Sequence, residues 1–337
     1  EEKIWSTRRI RPDEDELAEA VRVLKNAKKP VIIAGGGVLF SEASATLAKF
    51  AEAHGIPVVE TQGGKSSLPF THSLNMGAVG VTGTGASNIV CEDADVVLAV
   101  GTRLQDFTTG SWALFKNDKK TIIGLNTQVF DATKHRALPL IADARVGLEE
   151  LSINLGKWAA PAAWTKAAQS GFAAWMKTAN KYTDASNAEL PSDSQVIGAV
   201  QRALGRDISV LCASGGLPGE LHKLWQAGPP SSYHMEYGFS CMGYEIAGGI
   251  GLKMAQPTRE VVVMVGDGSY LMMNSELATS VMLGVKLTVV LLDNRGYGCI
   301  NRLQHASGGE RFNNLFDYNT VQEVSPDIDF AAHGKSL

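Results

Sequence analysis

Short apolar runs recur along the chain, each followed by a turn and then an amphipathic stretch. This alternation restricts the fold more than any other feature. In the first half, Pro30-Val-Ile-Ile-Ala34, Pro57–Glu60, Asp95–Val100, Thr121–Leu125 and Leu138–Ile141 read as buried strands. Helices are expected between them. The first runs over Glu14–Lys28, capped by Asp13 with Glu16 as capping-box partner and striped by Leu17, Ala20, Val21 and Leu24. Others are expected over Ser41–His54, over about Ala86–Glu92, and from the cap Asp143 to about Leu155. Strands that alternate with helices are parallel neighbours joined by long crossovers, so a doubly wound parallel sheet follows.

The pattern changes between Gly156 and Pro191, where Trp158, Trp164 and Trp175 are spread among Ala, Lys and Gln. This stretch reads as a linker with one helix, Ala162–Tyr182. A second α/β series then begins: helix Ser194–Leu204, strand Ile208–Ala213, helices Gly219–Trp225 and Gly243–Met254, strand Val261–Val265, helix Met273–Leu283 and strand Lys286–Leu292. No short repeat is present, and the halves read as two similar sheets. The fold class is α/β with two doubly wound parallel-sheet domains, divided as 1–155, a 156–190 linker and 191–337.

Composition excludes several other classes. With 337 residues, 45% hydrophobic, and a net charge of -4, the chain is too apolar and too weakly charged for disorder. No apolar run approaches the roughly 18 residues that cross a bilayer. The balance of charge leaves no footprint for nucleic acid, and the one dense basic cluster, Arg8, Arg9 and Arg11, reads as a solvated terminal arm. Cys91, Cys212, Cys241 and Cys299 are scattered without a CxxC pair, which points to a reducing, cytoplasmic setting. The chain opens Glu1-Glu-Lys-Ile-Trp5 and stops at Gly334-Lys-Ser-Leu337 in what reads as a helix, so both ends are expected to be cut from a longer protein.

Three glycine clusters invite a phosphate-binding reading. Gly35-Gly36-Gly37 follows a strand but lacks GxGxxG spacing, and only Glu60 offers an acid at the end of the next strand. Gly63-Gly64-Lys65-Ser66 resembles the tail of a P-loop, yet Val59 stands where its first glycine belongs. Gly80-Val-Thr-Gly83-Thr-Gly85 precedes a helix whose amides could hold an anion. Tight turns at strand ends account for each more simply.

The strongest chemical signal lies in the second half. Val261–Val265 delivers Gly266-Asp267-Gly268-Ser269, and Leu287–Leu292 delivers Asp293-Asn294-Arg295-Gly296. If the two strands are parallel neighbours, Asp267 and Asn294 emerge side by side. One carboxylate, one amide oxygen and a nearby carbonyl make a hard, oxygen-only site suited to Mg²⁺, which completes its shell with phosphate and water. The glycines flanking Asp267 let backbone amides approach a phosphate, and Ser269 adds a hydroxyl.

This GDG motif, followed after 25 residues by Asn294, resembles the fingerprint of thiamine-diphosphate enzymes, and the likeness extends over nearly the whole chain. The first half is similar to the central domain of the acetolactate synthase and pyruvate decarboxylase group. Pro57-Val-Val, Gly64-Lys65, Pro69, His72, Leu74, Gly77, Gly80, Gly83 and Val100-Gly-Thr-Arg103 follow in family order. The second half is similar to that group's diphosphate-binding domain. The resemblance implies Mg²⁺ on Asp267, Asn294 and the Gly296 carbonyl. It implies diphosphate contacts from Gly266, Gly268 and Ser269 on one side and from the Ser214-Gly215-Gly216-Leu217 loop on the other.

In Ser240-Cys-Met-Gly-Tyr244 it makes Met242 the wedge that bends the cofactor and places the Ser240 carbonyl against the aminopyrimidine; Ser240 stands where the family has glycine. No catalytic residue is assigned within the chain. The family's activating glutamate comes from a pyrimidine-binding domain, which would precede Glu1, and without it only weak binding and no turnover are expected. A homodimer or homotetramer with the active site between protomers is also implied.

Three runs, Gly219–Trp225, Tyr233–Gly243 and Asn294–Arg302, resemble the branch of the family that hydrolyses a polyhydroxylated cyclic 1,2-diketone to a deoxyuronic acid in inositol breakdown. Acetolactate synthesis or 2-oxoacid decarboxylation is the alternative within the family, and a non-catalytic nucleotide-binding or assembly module is the alternative outside it. His234, Glu236 and His305 are candidate proton-transfer groups, each with a surface or hydrogen-bonding role as the simpler reading, and Arg295 and Asn301 are weaker candidates for substrate contact.

Overall fold

The computed structural model describes residues 8–185, 189–236 and 238–337; the Glu1–Trp5 opening, three positions of the 156–190 stretch and Tyr237 of the 233–243 run lie outside them. The chain divides into two compact units, Glu1–Asp184 with Gln226–Ser231, and Ala185–Trp225 with Ser232–Leu337.

Six strands build the first unit: β1 (Pro30–Ala34), β2 (Val58–Glu60), β3 (Asn75–Ala78), β4 (Val96–Val100), β5 (Thr121–Asn126) and β6 (Leu138–Ile141). They pair in parallel in the order β3-β2-β1-β4-β5-β6. Alternate residues of each strand feed opposite faces. Ile32 and Ala34 join the core beneath helices Glu14–Asn26, Ser44–His54 and Ala144–Leu155. Val31 and Ile33 join the core beneath helices Gly85–Asp93 and Ala162–Thr183. Both faces are covered, which is why these strands are apolar throughout. Within the 156–190 stretch, the long helix lies on this sheet: Trp164 Nε1 donates to the Pro30 carbonyl at 2.8 Å, and Thr165 Oγ1 to that of Gly55 at 2.6 Å.

Several expectations are corrected here. Asp13 caps the first helix through the Asp15 and Glu16 amides, but Glu16 is not a capping-box partner, because its carboxylate accepts from the Ile141 amide at 2.8 Å. Two helices follow β1: Gly36–Phe40, which was not anticipated, and Ser44–His54, which is the helix expected over Ser41–His54 begun three residues later. Gly35 lets the first start directly after β1, and the chain then turns through Glu42 at φ +52°. Strand β3 was not anticipated, since Asn-Met-Gly-Ala lacks an apolar run. The basic arm is docked: Arg9 pairs with Asp143 at 3.1 Å and donates to the Ser41 carbonyl, and Arg11 pairs with Glu150, while Arg8 stays exposed.

The second unit carries β7 (Ser209–Cys212), β8 (Tyr233–Met235), β9 (Val261–Gly266) and β10 (Thr288–Leu292), parallel in the order β10-β9-β7-β8. The two sheets thus share parallel pairing but differ in size. Strand β8 is only three residues long and was missed. The helix expected over Met273–Leu283 begins later, as Glu276–Leu283, and an unanticipated helix, Asp267–Met272, precedes it, because Gly266 starts that one at the strand end. Among the described residues, no helix is long and apolar enough to cross a membrane.

Candidate cofactor and metal site

Strand pairing places the chemistry. β9 and β10 run in register to their last residues, Gly266 opposite Leu292, so Asp267 and Asn294 leave the sheet together. The Asn294 amide donates to Asp267 Oδ1 at 3.2 Å, and the Gly298 amide to Asn294 Oδ1 at 3.0 Å. Asp267 is fully buried, whereas Asn294 is exposed. Burial pushes the Asp267 carboxyl above its ordinary range, opposed by the Asn294, Gly296 and Gly268 amides. Its Oδ2 is buried and has no hydrogen-bond partner.

Gly296 is held tightly above Gly268. A Cβ on Gly268 would stand 2.8 Å from the Tyr297 ring and 3.0 Å from the Gly296 carbonyl oxygen, so only glycine fits. Arg295 and Gly296 are both left-handed, at φ +68° and +133°. The 314–316 segment pins them: the Tyr297 amide donates to the Asn314 carbonyl at 2.7 Å and the Phe316 amide to the Arg295 carbonyl at 2.9 Å. Among the described residues, no group of three or more His, Cys, Asp or Glu could hold a metal. The strand tips offer one unpartnered carboxylate oxygen, one amide oxygen and one carbonyl, which could serve as metal donors. That set fits Mg²⁺ and not the softer transition metals.

Two further loops border this edge. After β7 come Ser214, Gly215 at φ +105°, half-buried Gly216 and buried Leu217, which opens helix Leu217–Leu224. Before helix Tyr244–Ala255 lies the stretch with Ser240 and the half-buried Met242. Ser240 is left-handed at φ +56°, a conformation usually left to glycine, and its hydroxyl donates to Ser214 Oγ at 3.3 Å. Glu236 supports this turn by accepting from the Phe239 and Cys241 amides at 3.0 and 2.7 Å, and those bonds hold its carboxyl below the usual range.

Sequence reasoning missed Glu245. It is 1% exposed, and Ser269 Oγ lies 2.8 Å from both of its carboxylate oxygens while accepting from the Gly243 amide at 2.8 Å. An acidic residue in a first helical turn is ordinary, so only its apolar neighbours Tyr244 and Ile246 could have flagged it. Of the proton-transfer candidates, His234 Nε2 lies 2.7 Å from the Tyr244 hydroxyl, and burial lowers its pKa; His305 is exposed. Arg295 is engaged with Asp317, Ser325, Asp327 and the Pro326 carbonyl. Asn301 Oδ1 is buried without a partner.

The first unit has the strand order of dinucleotide-binding sheets, yet its switch point between β1 and β4 is closed. The Gly35 amide donates to the Val100 carbonyl at 2.8 Å and the Gly37 amide to that of Gly101 at 2.9 Å. A Cβ on Gly37 would stand 2.6 Å from Gly101 Cα. Glu60 is buried, accepting from the Leu68 amide and Asn75 Nδ2. Lys65 is buried too, and burial pushes it down to about 8 against the opposing charge of Glu60. A Cβ on Gly83 would collide with Gly80 N at 2.6 Å. All three glycine clusters thus serve close backbone approach.

Two family models match the chain. Residues 17–151 match the model described as thiamine pyrophosphate enzyme, central domain, and residues 213–337 that described as thiamine pyrophosphate enzyme, C-terminal TPP binding domain. The chain is 39% identical, over 98% of its length, to a Bacillus anthracis protein named 3D-(3,5/4)-trihydroxycyclohexane-1,2-dione hydrolase. It is 40% identical, over 95% of its length, to a Bacillus cereus protein carrying that name with the suffix 2. It spans 56% and 54% of the lengths of these relatives. On the two matched domains, together with the relatives that align along nearly all of it, the chain belongs to the thiamine pyrophosphate enzyme family.

Proposed function

We propose that the second unit holds Mg²⁺ and the diphosphate of thiamine diphosphate, in a protein that opens a polyhydroxylated cyclic 1,2-diketone by hydrolysis. The observation that carries the reading is Asp267 Oδ2, a buried carboxylate oxygen without a partner beside Asn294 at two adjacent strand tips. Leaving such an atom unpaired costs about 1–3 kcal/mol, which a cation would offset. Asp267, Asn294 and the Gly296 carbonyl are the metal donors in this reading. Gly266, Gly268 and Ser269 approach the diphosphate on one side, and Gly215, Gly216 and Leu217 on the other. Ser240 offers its carbonyl to the aminopyrimidine, and Met242 supports the bend of the cofactor. When bound, thiamine diphosphate supplies an electron sink for cleavage next to a carbonyl.

The substrate assignment rests on the names of the 39% and 40% identical relatives. The reaction that follows is addition of water to one of two adjacent ketones of trihydroxycyclohexane-1,2-dione, with rupture of the bond between them, to give 5-deoxyglucuronate. His234, kept neutral by its buried setting, is a group able to accept a proton near this edge. A cytoplasmic homo-oligomer with its active site between protomers completes the proposal.

Titration of the intact protein with thiamine diphosphate tests it. Binding that requires Mg²⁺, and ring-opened acid formed from the dione, are the expected results. Activity on pyruvate alone would move the protein to acetolactate synthesis or decarboxylation, and absence of binding heat would sink the cofactor assignment.

A further inference from the structure

Glu245 is a buried acid that neither the metal site nor the diphosphate contacts require. It sits in the first turn of helix Tyr244–Ala255, next to the left-handed Gly243 that begins the helix. Its carboxyl is within 2.8 Å of Ser269 Oγ through either oxygen, and Ser269 Oγ accepts from the Gly243 amide at 2.8 Å. Burial raises its pKa, opposed by the Ser269 hydroxyl and by the Gly243 and Ser214 amides. Ser214 belongs to the loop after β7, Gly243 to the turn after Met242, and Ser269 to the segment after β9. The Glu245 carboxyl thus holds the Ser269 segment directly and the Gly243 turn through Ser269 Oγ, and the stretch before that turn reaches the loop after β7 through Ser240 Oγ, which donates to Ser214 Oγ at 3.3 Å.

We infer that Glu245 is a positioning residue, which fixes the Ser269 hydroxyl and the Gly243 amide and so holds these three segments in one arrangement before the cofactor arrives. The inference rests on the diphosphate reading above. It also revises the part of Ser269. The hydroxyl that is given to Glu245 is not available to a phosphate, so Ser269 serves the cofactor through its backbone amide. The neutral isostere glutamine keeps the acceptor and adds a donor that Ser269 Oγ can receive, whereas alanine leaves the Ser269 hydroxyl without its acceptor.

The test uses the intact protein with the substitutions Glu245→Gln, Glu245→Ala, Ser269→Ala and the double alanine variant. Thiamine diphosphate affinity at saturating Mg²⁺ is measured by calorimetry, and hydrogen exchange of the 241–245 segment is followed without cofactor. Glu245→Ala is expected to weaken binding by about tenfold or more and Glu245→Gln by less than about threefold. The double variant is expected to be no more than about threefold weaker than Glu245→Ala, since both act through one hydrogen-bonded unit. Exchange should quicken in Glu245→Ala and not in Glu245→Gln. Wild-type affinity in Glu245→Ala, equal damage in Glu245→Gln, or unaltered exchange would overturn the inference alone. Should Glu245→Ala fail to fold, Ser269→Ala carries the same expectation for exchange. A wild-type protein that binds no cofactor would instead overturn the functional reading on which the inference stands.

Discussion

Replacing Asp267 by asparagine separates a structural role from a metal-binding one, because the two predict opposite outcomes. The amide has the same shape and keeps an acceptor for the Asn294 amide, now 3.2 Å from Oδ1. It removes a charge from a fully buried position. The stability of the unliganded protein should hold within about 1 kcal/mol of wild type or rise, since the buried charge is no longer desolvated. The liganded protein should behave differently. At a cofactor and Mg²⁺ concentration 100 times the dissociation constant, wild type gains about 2.7 kcal/mol. At about 2–4 °C per kcal/mol for units of this size, its melting midpoint should rise by roughly 5–10 °C. A hundredfold loss of affinity in Asp267→Asn would leave about 0.4 kcal/mol, or a shift of about 1–2 °C, at the same concentration. Differential scanning fluorimetry with and without cofactor and Mg²⁺ reads both quantities. A variant that melts far below wild type when unliganded, or that shows the full ligand shift, would refute the reasoning.

Four other outcomes are expected. Gly37→Ala puts a Cβ 2.6 Å from Gly101 Cα, backbone against backbone, and should cost about 1–3 kcal/mol, read as a lowered denaturation midpoint. Lys65 titrates near 8 in the folded state against its ordinary 10.5, so across that window the unfolded chain binds more protons and stability rises with pH. Lys65→Met should flatten that slope in urea melts taken between the two values. Arg295→Ala frees Asp317, Ser325 and Asp327, so proteolysis should quicken within 317–327 while global stability changes by less than about 1 kcal/mol. A disulfide reagent should label exposed Cys241 first; Cys91 and Cys212 are buried, and burial raises both thiols, Cys91 to about 12, so they should stay silent until unfolding.

What could be read in advance follows the reach of each signal. Val261–Val265 and Pro30–Ala34 announce themselves because a strand buried on both faces must be apolar at every position. β3 and β8 escape because Asn-Met-Gly-Ala and Tyr-His-Met hold too few residues for any period to register. The juxtaposition of Asp267 and Asn294 needs only the assumption that two neighbouring runs pair in parallel, and the register of β9 with β10 supplies it. Glu16 was misread because a capping box is a local pattern, while the Ile141 amide that claims its carboxylate lies 125 residues away. Arg9 met Asp143 across 134 residues for the same reason. Glu245 is the instructive omission, since its partners Gly243 and Ser269 come from segments that only the folded sheet edge unites.

The sealed crevice between β1 and β4 bears on protein engineering. Grafting a nucleotide pocket onto this scaffold would need more than a better glycine pattern, because the Gly35 and Gly37 amides already grip the opposite turn. The turn at Gly101 would first have to be prised away, breaking two interstrand bonds at the middle of a six-stranded sheet. A pair of facing alanines would open the gap only by loosening the domain that contains it.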